Sequence, residues 1–311
     1  MLEPAQFGRV AVLMGGFSAE REVSLWSGNN IVAALRGRGV DVSGIDVTGP
    51  EQLFALAGQG YDRVFNILHG TGGEDGRVQA VLDLIGLRYP GSGVLASALA
   101  MDKLATKRLW QAAQLPTPDF RVVSSVADVE QAAQQWGYPF ILKPAADGSS
   151  VGISKVKRRE QIAEAFAAAR GAGRVVLAEQ FIAGGEYTCA VLGAEALPLI
   201  RIEPDGEFYD YHAKYISDKT RYHCPAGLAP GHERGLQDTC RRAFEVLGCA
   251  DWGRVDFLMG EDGKPWLLEV NTLPGMTTHS LVPMAARAAG IGFDELCLRL
   301  LALTLDPRGA A

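Results

Sequence analysis

The chain is poor in the features that would suggest disulfide, soft-metal, membrane or nucleic-acid chemistry. Its cysteines, Cys189, Cys224, Cys240, Cys249 and Cys297, are odd in number and never fall in a Cys-x-x-Cys spacing. Neither a disulfide framework nor a thiolate metal centre is indicated, and a reducing cytoplasm fits. No apolar run is long enough to span a bilayer, and Met1-Leu-Glu-Pro-Ala-Gln-Phe7 lacks the basic flank and apolar stretch of a signal peptide, so a soluble cytoplasmic protein without a membrane partner is expected. A formal charge of -6 argues against nucleic acid as the main partner. No long run of one charge, internal repeat or low-complexity tract interrupts the chain. Apolar residues make up 48% and charged residues 21% of the 311 positions, which is enough apolar material for a real core shared by two or three units.

The first hundred residues alternate strand and helix. Arg9 to Met14 reads as a strand, Gly15-Gly16 as a turn, and Val23, Ile31, Ala34 and Leu35 as one face of a helix. A second strand is expected around Asp41 to Val47, a short helix after Pro50, and a nearly all-apolar third strand from Arg63 to His69. This is the pattern of an open parallel α/β layer. One long helix is expected from Val94 to about Ala113, after which Pro116 and Pro118 break the chain at a boundary. A small α+β unit follows, with strands at 120–123, 139–143, 152–156 and 175–179 and helices at 126–136 and 160–170. Strands at 187–192 and 197–202, an irregular stretch at 209–225, a helix at 232–247 and helices at 281–289 and 293–303 complete the reading.

The most informative segment is a hairpin. If Asp262-Gly263 forms the two-residue turn that this dipeptide favours, Asp256 lies opposite Glu269 and Arg254 opposite Asn271. Side chains alternate along a strand, so these four polar groups share one face while Val255, Phe257, Leu268 and Val270 line the other. Two carboxylates directly across a sheet repel. A cation between them removes the conflict, and an oxygen set of Asp, Glu and Asn suits magnesium better than zinc. The other reading is a solvated hairpin face on which Arg254 neutralises one acid.

Phosphate-binding features are present without a P-loop. Phe140 to Lys143 ends a strand, and Asp147-Gly-Ser-Ser-Val-Gly152 follows. Glycine permits close approach of backbone N–H groups, serine adds a short donor, and Lys143 adds charge; a flexible turn is the alternative. Gly91-Ser-Gly93 resembles half a dinucleotide fingerprint, but Pro90 precedes it and no acid closes a following strand, which argues against a Rossmann cofactor site.

Five signatures coincide in order: Gly15-Gly-Phe-Ser-Ala-Glu-Arg-Glu-Val-Ser24; Leu68-His-Gly70 with Gly73-Glu-Asp-Gly76; Met101-Asp-Lys103; Gly253-Arg-Val-Asp256; and Glu269-Val-Asn-Thr-Leu-Pro-Gly-Met-Thr277. Together they resemble the D-alanine:D-alanine ligases of the ATP-grasp superfamily, from about Val10 to Leu303. The resemblance implies a mixed α/β and α+β chain with the ATP-grasp fold in three domains. These are an N-terminal open parallel α/β layer for substrate at 1–100, a central subdomain at 101–185 and a C-terminal subdomain at 186–311, the ATP-grasp region covering about 103–305.

It also implies an activity and a cast of residues. Two D-alanine molecules would be joined through a D-alanyl phosphate with release of ADP and phosphate, for peptidoglycan synthesis, in a cytoplasmic homodimer. ATP would be held by Lys103, Lys143, Ser149, Glu179, Phe181, Ile182, Glu186 and Lys214, and Mg2+ by Asp256, Glu269 and Asn271. Two ions are expected, with Glu269 bridging and Mn2+ able to substitute. Arg254 would stabilise the tetrahedral oxyanion and the transferring phosphoryl group. Glu20 would grip the first D-alanine's ammonium, with Ser149 and Tyr215 hydrogen-bonded to it; a purely structural acid at a helix start is the alternative. His69 would belong to the substrate's shell. Ser280 and Leu281, with Gly275 before them, would present N–H groups to the second D-alanine's carboxylate, while Ser280 also suits a helix cap. Residues 209–222 read as a lid that brings Lys214 to the γ-phosphate and excludes water. Phe181 stands where the family often has tryptophan. The competing activities are another ATP-grasp carboxylate-amine ligase and a non-catalytic nucleotide-binding regulator.

Overall fold

The computed structural model describes residues 3–146, 151–206 and 219–305. Parallel strands β1 (Arg9–Gly15), β2 (Asp41–Val47) and β3 (Arg63–Asn66) form a sheet in the order β2-β1-β3. Val10 to Leu13 are wholly buried, as expected of a central strand covered on both faces. Helix α1 (Arg21–Gly37) lies against it, and α2 (Pro50–Ala55) and α3 (Arg77–Leu84) follow β2 and β3. The parallel layer is as the alternation predicts, with β3 shorter than expected: after Asn66 the chain leaves the strand, and the Asn66 amide holds the loop instead, donating to Gly73 O and accepting from Leu68 N. Helix α3 lies where the sequence pattern alone marks no helix.

The expected long helix is two. Helix α4 (Val94–Met101) stops at Asp102, which is extended (φ -92°, ψ 100°) and whose carboxylate accepts from Leu104 N and Ala105 N to start α5 (Lys103–Ala112). An N-capping aspartate inside an otherwise helical pattern explains the break. The break turns α5 so that Lys103 N donates to Ala145 O at 2.8 Å. Trp110 then anchors the helix, fully buried with its indole N–H on Ala243 O at 2.9 Å.

An antiparallel sheet in the order β4-β7-β5-β6 is built from β4 (Phe120–Val123), β5 (Phe140–Pro144), β6 (Ser154–Val156) and β7 (Val176–Gln180). It is covered by α6 (Val126–Trp136), which opens with a Ser125/Asp128 capping box, and by α7 (Ile162–Ala172). A larger antiparallel sheet runs β11-β10-β8-β12-β13, with β9 beside β8. Its strands are β8 (Gly184–Leu192), β9 (Glu195–Ala196), β10 (Ile200–Glu203), β11 (Arg221–His223), β12 (Trp252–Gly260) and β13 (Pro265–Asn271). Helix α8 (Pro230–Val246) covers one face, and α9 (Leu281–Ala288) and α10 (Phe293–Ala302) close the chain, α10 packing on α1. Trp252 of β12 meets Phe65 of β3 edge-on at 6.2 Å, so one apolar cluster joins the large sheet to the parallel layer. Among the described residues no helix is long and apolar enough to cross a membrane.

The hairpin β12–β13 has the expected pairs, Asp256 opposite Glu269 and Arg254 opposite Asn271. Its tip differs from expectation. Gly260 N donates to Lys264 O, leaving a three-residue loop, Glu261-Asp262-Gly263, with Gly263 in the left-handed region (φ +76°) that a side chain would strain. The shift so introduced is undone by a bulge: Phe257 pairs with Leu267, and Leu268 is the extra residue. Leu267, fully buried, therefore takes the core position the two-residue turn gave to Leu268, beside Val255, Phe257 and Val270.

Candidate active site

Arg254 and Asp256, two residues apart on β12, face the same side. The buried guanidinium grips the carboxylate through both oxygens, Nε to Oδ1 and Nη2 to Oδ2, each at 2.8 Å. Thr188 of β8, paired with Asp256, donates to Oδ1 at 2.5 Å, and the Asn271 amide donates to Oδ2 at 3.0 Å. Glu269 is held at Oε2 by Lys103 Nζ at 3.0 Å. The repulsion expected between the two acids is thus answered by a cation on each. Glu186 lies on the same face of the large sheet, paired with Leu258 as Thr188 is with Asp256.

A second cluster sits between β5, β7 and α5. Glu179 gives Oε1 to Lys143 Nζ at 2.8 Å and Oε2 to Lys107 Nζ at 2.7 Å, with all three side chains nearly or wholly buried. Burial alone would raise the Glu179 carboxyl, but the two ammonium charges outweigh it and hold its pKa below the ordinary value. Burial, opposed by Glu179 and aided by Lys143, pulls Lys107 down to about 8. Just beyond β7, Lys155 Nζ stands 4.0 Å from the centre of the Phe181 ring, which gives this end an aromatic wall with a cation on it.

The third cluster lies at the carboxyl ends of β1 and β3, where ligands gather in open α/β sheets. Glu20 occupies the position before α1. Gly70 passes so close that a β-carbon there would stand 2.9 Å from Glu20 Oε2, and its φ is +70°, so both space and conformation require glycine. Ser18 Oγ donates to His69 O at 2.7 Å. Buried His69 is pushed down to about 4 by burial, with the Arg254 charge adding to it and a hydrogen bond to the Leu273 backbone opposing it. Its ring is therefore neutral at pH 7, and Nε2 is buried without a hydrogen-bond partner among the described residues. Glu74 accepts from Gly70 N at 2.8 Å. Burial and the neighbouring Glu20 charge raise its carboxyl to about 8, with Gly70, Arg254 and the Leu273 backbone opposing. Arg254 is thus felt by both His69 and Glu74, and it joins this pocket to the hairpin face.

The segment after Asn271 closes the arrangement. Met276 N donates to Ser27 Oγ and Met276 O accepts from Asn30, both on α1, which holds buried Gly275 against the parallel layer.

The family model for the D-ala D-ala ligase C-terminus matches residues 109–302. D-alanine–D-alanine ligase B of Chromobacterium violaceum is 54% identical over 296 residues, covering 95% of this chain and 97% of its own. The chain belongs to the D-alanine–D-alanine ligase family. Among solved structures, the D-alanine–D-alanine ligase of Bacillus anthracis aligns with a TM-score of 0.84 at 33% identity over 96% of this chain and 97% of that one. The same organism's ligase complexed with ATP aligns at 0.83 and 30% identity over the same shares. The fold is that of the ATP-grasp ligases.

Against this family frame, two expectations about the C-terminal loop change. Ser280 does not cap α9: its Oγ accepts from Thr277 N and pairs with Thr277 Oγ1, each at 2.9 Å. Its N–H donates to Thr277 O at 3.1 Å, because residues 277–280 form a closed turn, and so it is already engaged. Leu281, the first residue of α9, is buried. Glu179 is enclosed by two lysines rather than open, and Ile182 is half-buried just past it. Ser149, Lys214 and Tyr215 lie outside the described residues, as does most of the 209–222 lid; its end, Arg221–His223, is β11 against β10.

Two residues were missed in a ligase otherwise well marked by its motifs. Lys107 follows Lys103 by one helical turn, and that spacing was its only signal. Glu74 stood inside a quoted motif without a role; two adjacent acids in a glycine-rich loop beside His69 were the sign. A folded pKa of about 8 against an ordinary 4.5 means that the native state keeps a proton the unfolded chain releases. Its contribution is full below about 4.5 and is lost as pH rises to about 8. Glu74→Gln is therefore expected to gain stability over the unsubstituted chain between pH 5 and pH 8, read from melting temperatures across about that range. A parallel pair of melting curves would show Glu74 to be an ordinary ionised acid.

Proposed function

We propose that this protein condenses two D-alanine molecules at the expense of ATP, through a D-alanyl phosphate, to supply the dipeptide of peptidoglycan. The observation that carries the reading is the position of Arg254, which binds Asp256 on the hairpin face and acts electrostatically on His69 and Glu74 in the pocket beside it. A guanidinium between a phosphate-side acid cluster and an amino-acid pocket is where an acyl phosphate and its tetrahedral adduct need positive charge.

Glu20, beside Glu74, receives the first substrate's ammonium, and neutral His69 offers Nε2 to the same substrate. Lys143, Phe181, Ile182 and Glu186 seat the nucleotide, with Glu179 ordering Lys143 toward it. Lys103 turns from Glu269 to the phosphates once the nucleotide is in place. The oxygen donors of Asp256, Glu269 and Asn271, which share one face of the hairpin with the Asn271 amide 3.0 Å from Asp256 Oδ2, are the hard set that magnesium would take. Bound Mg2+, as two ions or with Mn2+ in its place, supplies charge neutralisation between two anionic reactants. Gly275, Ser280 and Leu281 line the second D-alanine's end. The working form is a cytoplasmic homodimer.

Phosphate release from ATP tests the assignment. D-alanine should stimulate it at least about tenfold over ATP alone, and L-alanine should not, because Glu20 and His69 hold one hand of the substrate. Stimulation by L-alanine alone would overturn the reading.

A further inference from the structure

We propose that Lys107 is a positioning residue for the nucleotide, fixing Glu179 from behind and tying the nucleotide strand β7 to the bulge of the metal hairpin. The proposal rests on the reading that Lys143 and Glu179 hold ATP. Lys107 itself cannot reach a ligand, because its side chain is 0% exposed. A lysine so buried has to be partnered, and its ion-pair partner, Glu179, is a residue of the nucleotide site on this reading. Glu179 Oε2 lies at 2.7 Å, Thr117 Oγ1 accepts at 2.5 Å, and the Phe120 ring covers it at 5.3 Å from the ring centre.

The two lysines divide the carboxylate between them. Lys143 takes Oε1 and Lys107 takes Oε2, so Glu179 cannot rotate without breaking an ion pair. Two ammonium groups and one carboxylate also leave one positive charge in excess, which suits a polyphosphate. Without Lys107, Lys143 would have to neutralise Glu179 alone and would be drawn away from a phosphate.

The other contact runs the opposite way. Thr117 Oγ1 donates its own hydrogen bond to Leu267 O at 2.9 Å, and Leu267 N donates to Pro116 O at 2.9 Å. Leu267 sits at the bulge, two residues before Glu269. One turn earlier on α5, Lys103 holds Glu269 itself. Helix α5 therefore touches both the nucleotide strand and the metal hairpin through lysines four residues apart, and buried Trp110 fixes the helix in place. The buried Lys107 ammonium is thus one of the ties between the base-binding end of the site and its reacting end.

The test uses Lys107→Met, Lys107→Arg and Lys143→Met in the full chain, with KM for ATP, KM for D-alanine, kcat and melting temperature measured for each. Lys107→Met should raise KM for ATP about tenfold while KM for D-alanine stays within about twofold, and Lys107→Arg should recover part of the loss. A lower melting temperature with an unchanged KM for ATP would show Lys107 to be structural only and overturn the proposal. If Lys143→Met also leaves KM for ATP unchanged, the placement of the nucleotide fails instead. Should Lys107→Met not fold, Thr117→Val carries the test. It should raise KM for ATP about threefold through loosening of the same ammonium, and an unaltered value there would equally sink the proposal.

Discussion

Arg254→Ala is expected to bind ATP within about threefold of the unsubstituted protein and to lose turnover by about a hundred- to a thousandfold. On the proposed function, the charge that Arg254 answers would develop mainly as the phosphoryl group moves and the tetrahedral adduct forms, so its removal should fall on kcat rather than on ground-state binding. The bidentate pair adds a second consequence. Taking away the guanidinium leaves Asp256 buried with Thr188 and Asn271 as its remaining partners among the described residues, and breaking a buried pair costs roughly 3–5 kcal/mol. The variant should therefore also melt earlier. Arg254→Lys separates the two effects, because one ammonium restores charge but not the two-pronged grip. It should recover stability more than turnover. Unchanged turnover in Arg254→Ala would make the residue a structural ion pair, as the solvated-face reading has it.

How far the sequence foretold this arrangement depends on which forces set each part. The face shared by Arg254, Asp256, Glu269 and Asn271 was legible because strand alternation is local and its period is fixed. The turn was not, since the three-residue loop and the bulge cancel each other: pairing near the site survives, and only the Leu267/Leu268 exchange betrays the difference. The split of α4 from α5 was visible in principle, with Asp102 a ready cap in the middle of an apolar helical pattern, yet helical propensity on both sides hid it. The ammonium partners were out of reach. Lys107 and Lys143 are far apart in sequence and meet only because β5, β7 and α5 converge on Glu179. Nor could any residue-level argument foresee that the Glu74 carboxyl is pushed up, which requires knowing that the fold encloses it and brings Glu20 beside it.

Glu269→Gln carries the other large effect. The substitution keeps shape and one oxygen ligand but removes a negative charge, so the magnesium concentration for half-maximal turnover should rise about tenfold, with turnover at low magnesium down by about a hundredfold. Stability should fall modestly. The Lys103–Glu269 pair is largely enclosed, with side-chain exposures of 11% and 25%, and the amide keeps the shape of the acid but not the charge that the ammonium faces. Lys103, released from its partner, would be freer for the phosphates, so KM for ATP should hold or fall slightly. A magnesium titration superimposable on that of the unsubstituted protein would remove Glu269 from the ligand set.

A crystal structure with magnesium, a nonhydrolysable ATP analogue and D-alanine addresses the central claim most directly. The account predicts cation density within ligand distance of Asp256, Glu269 and Asn271, with Lys103 moved from Glu269 to the phosphates and Arg254 facing the γ-phosphate. Density for the cation or the triphosphate elsewhere, with the Arg254–Asp256 and Lys103–Glu269 pairs undisturbed, would contradict it.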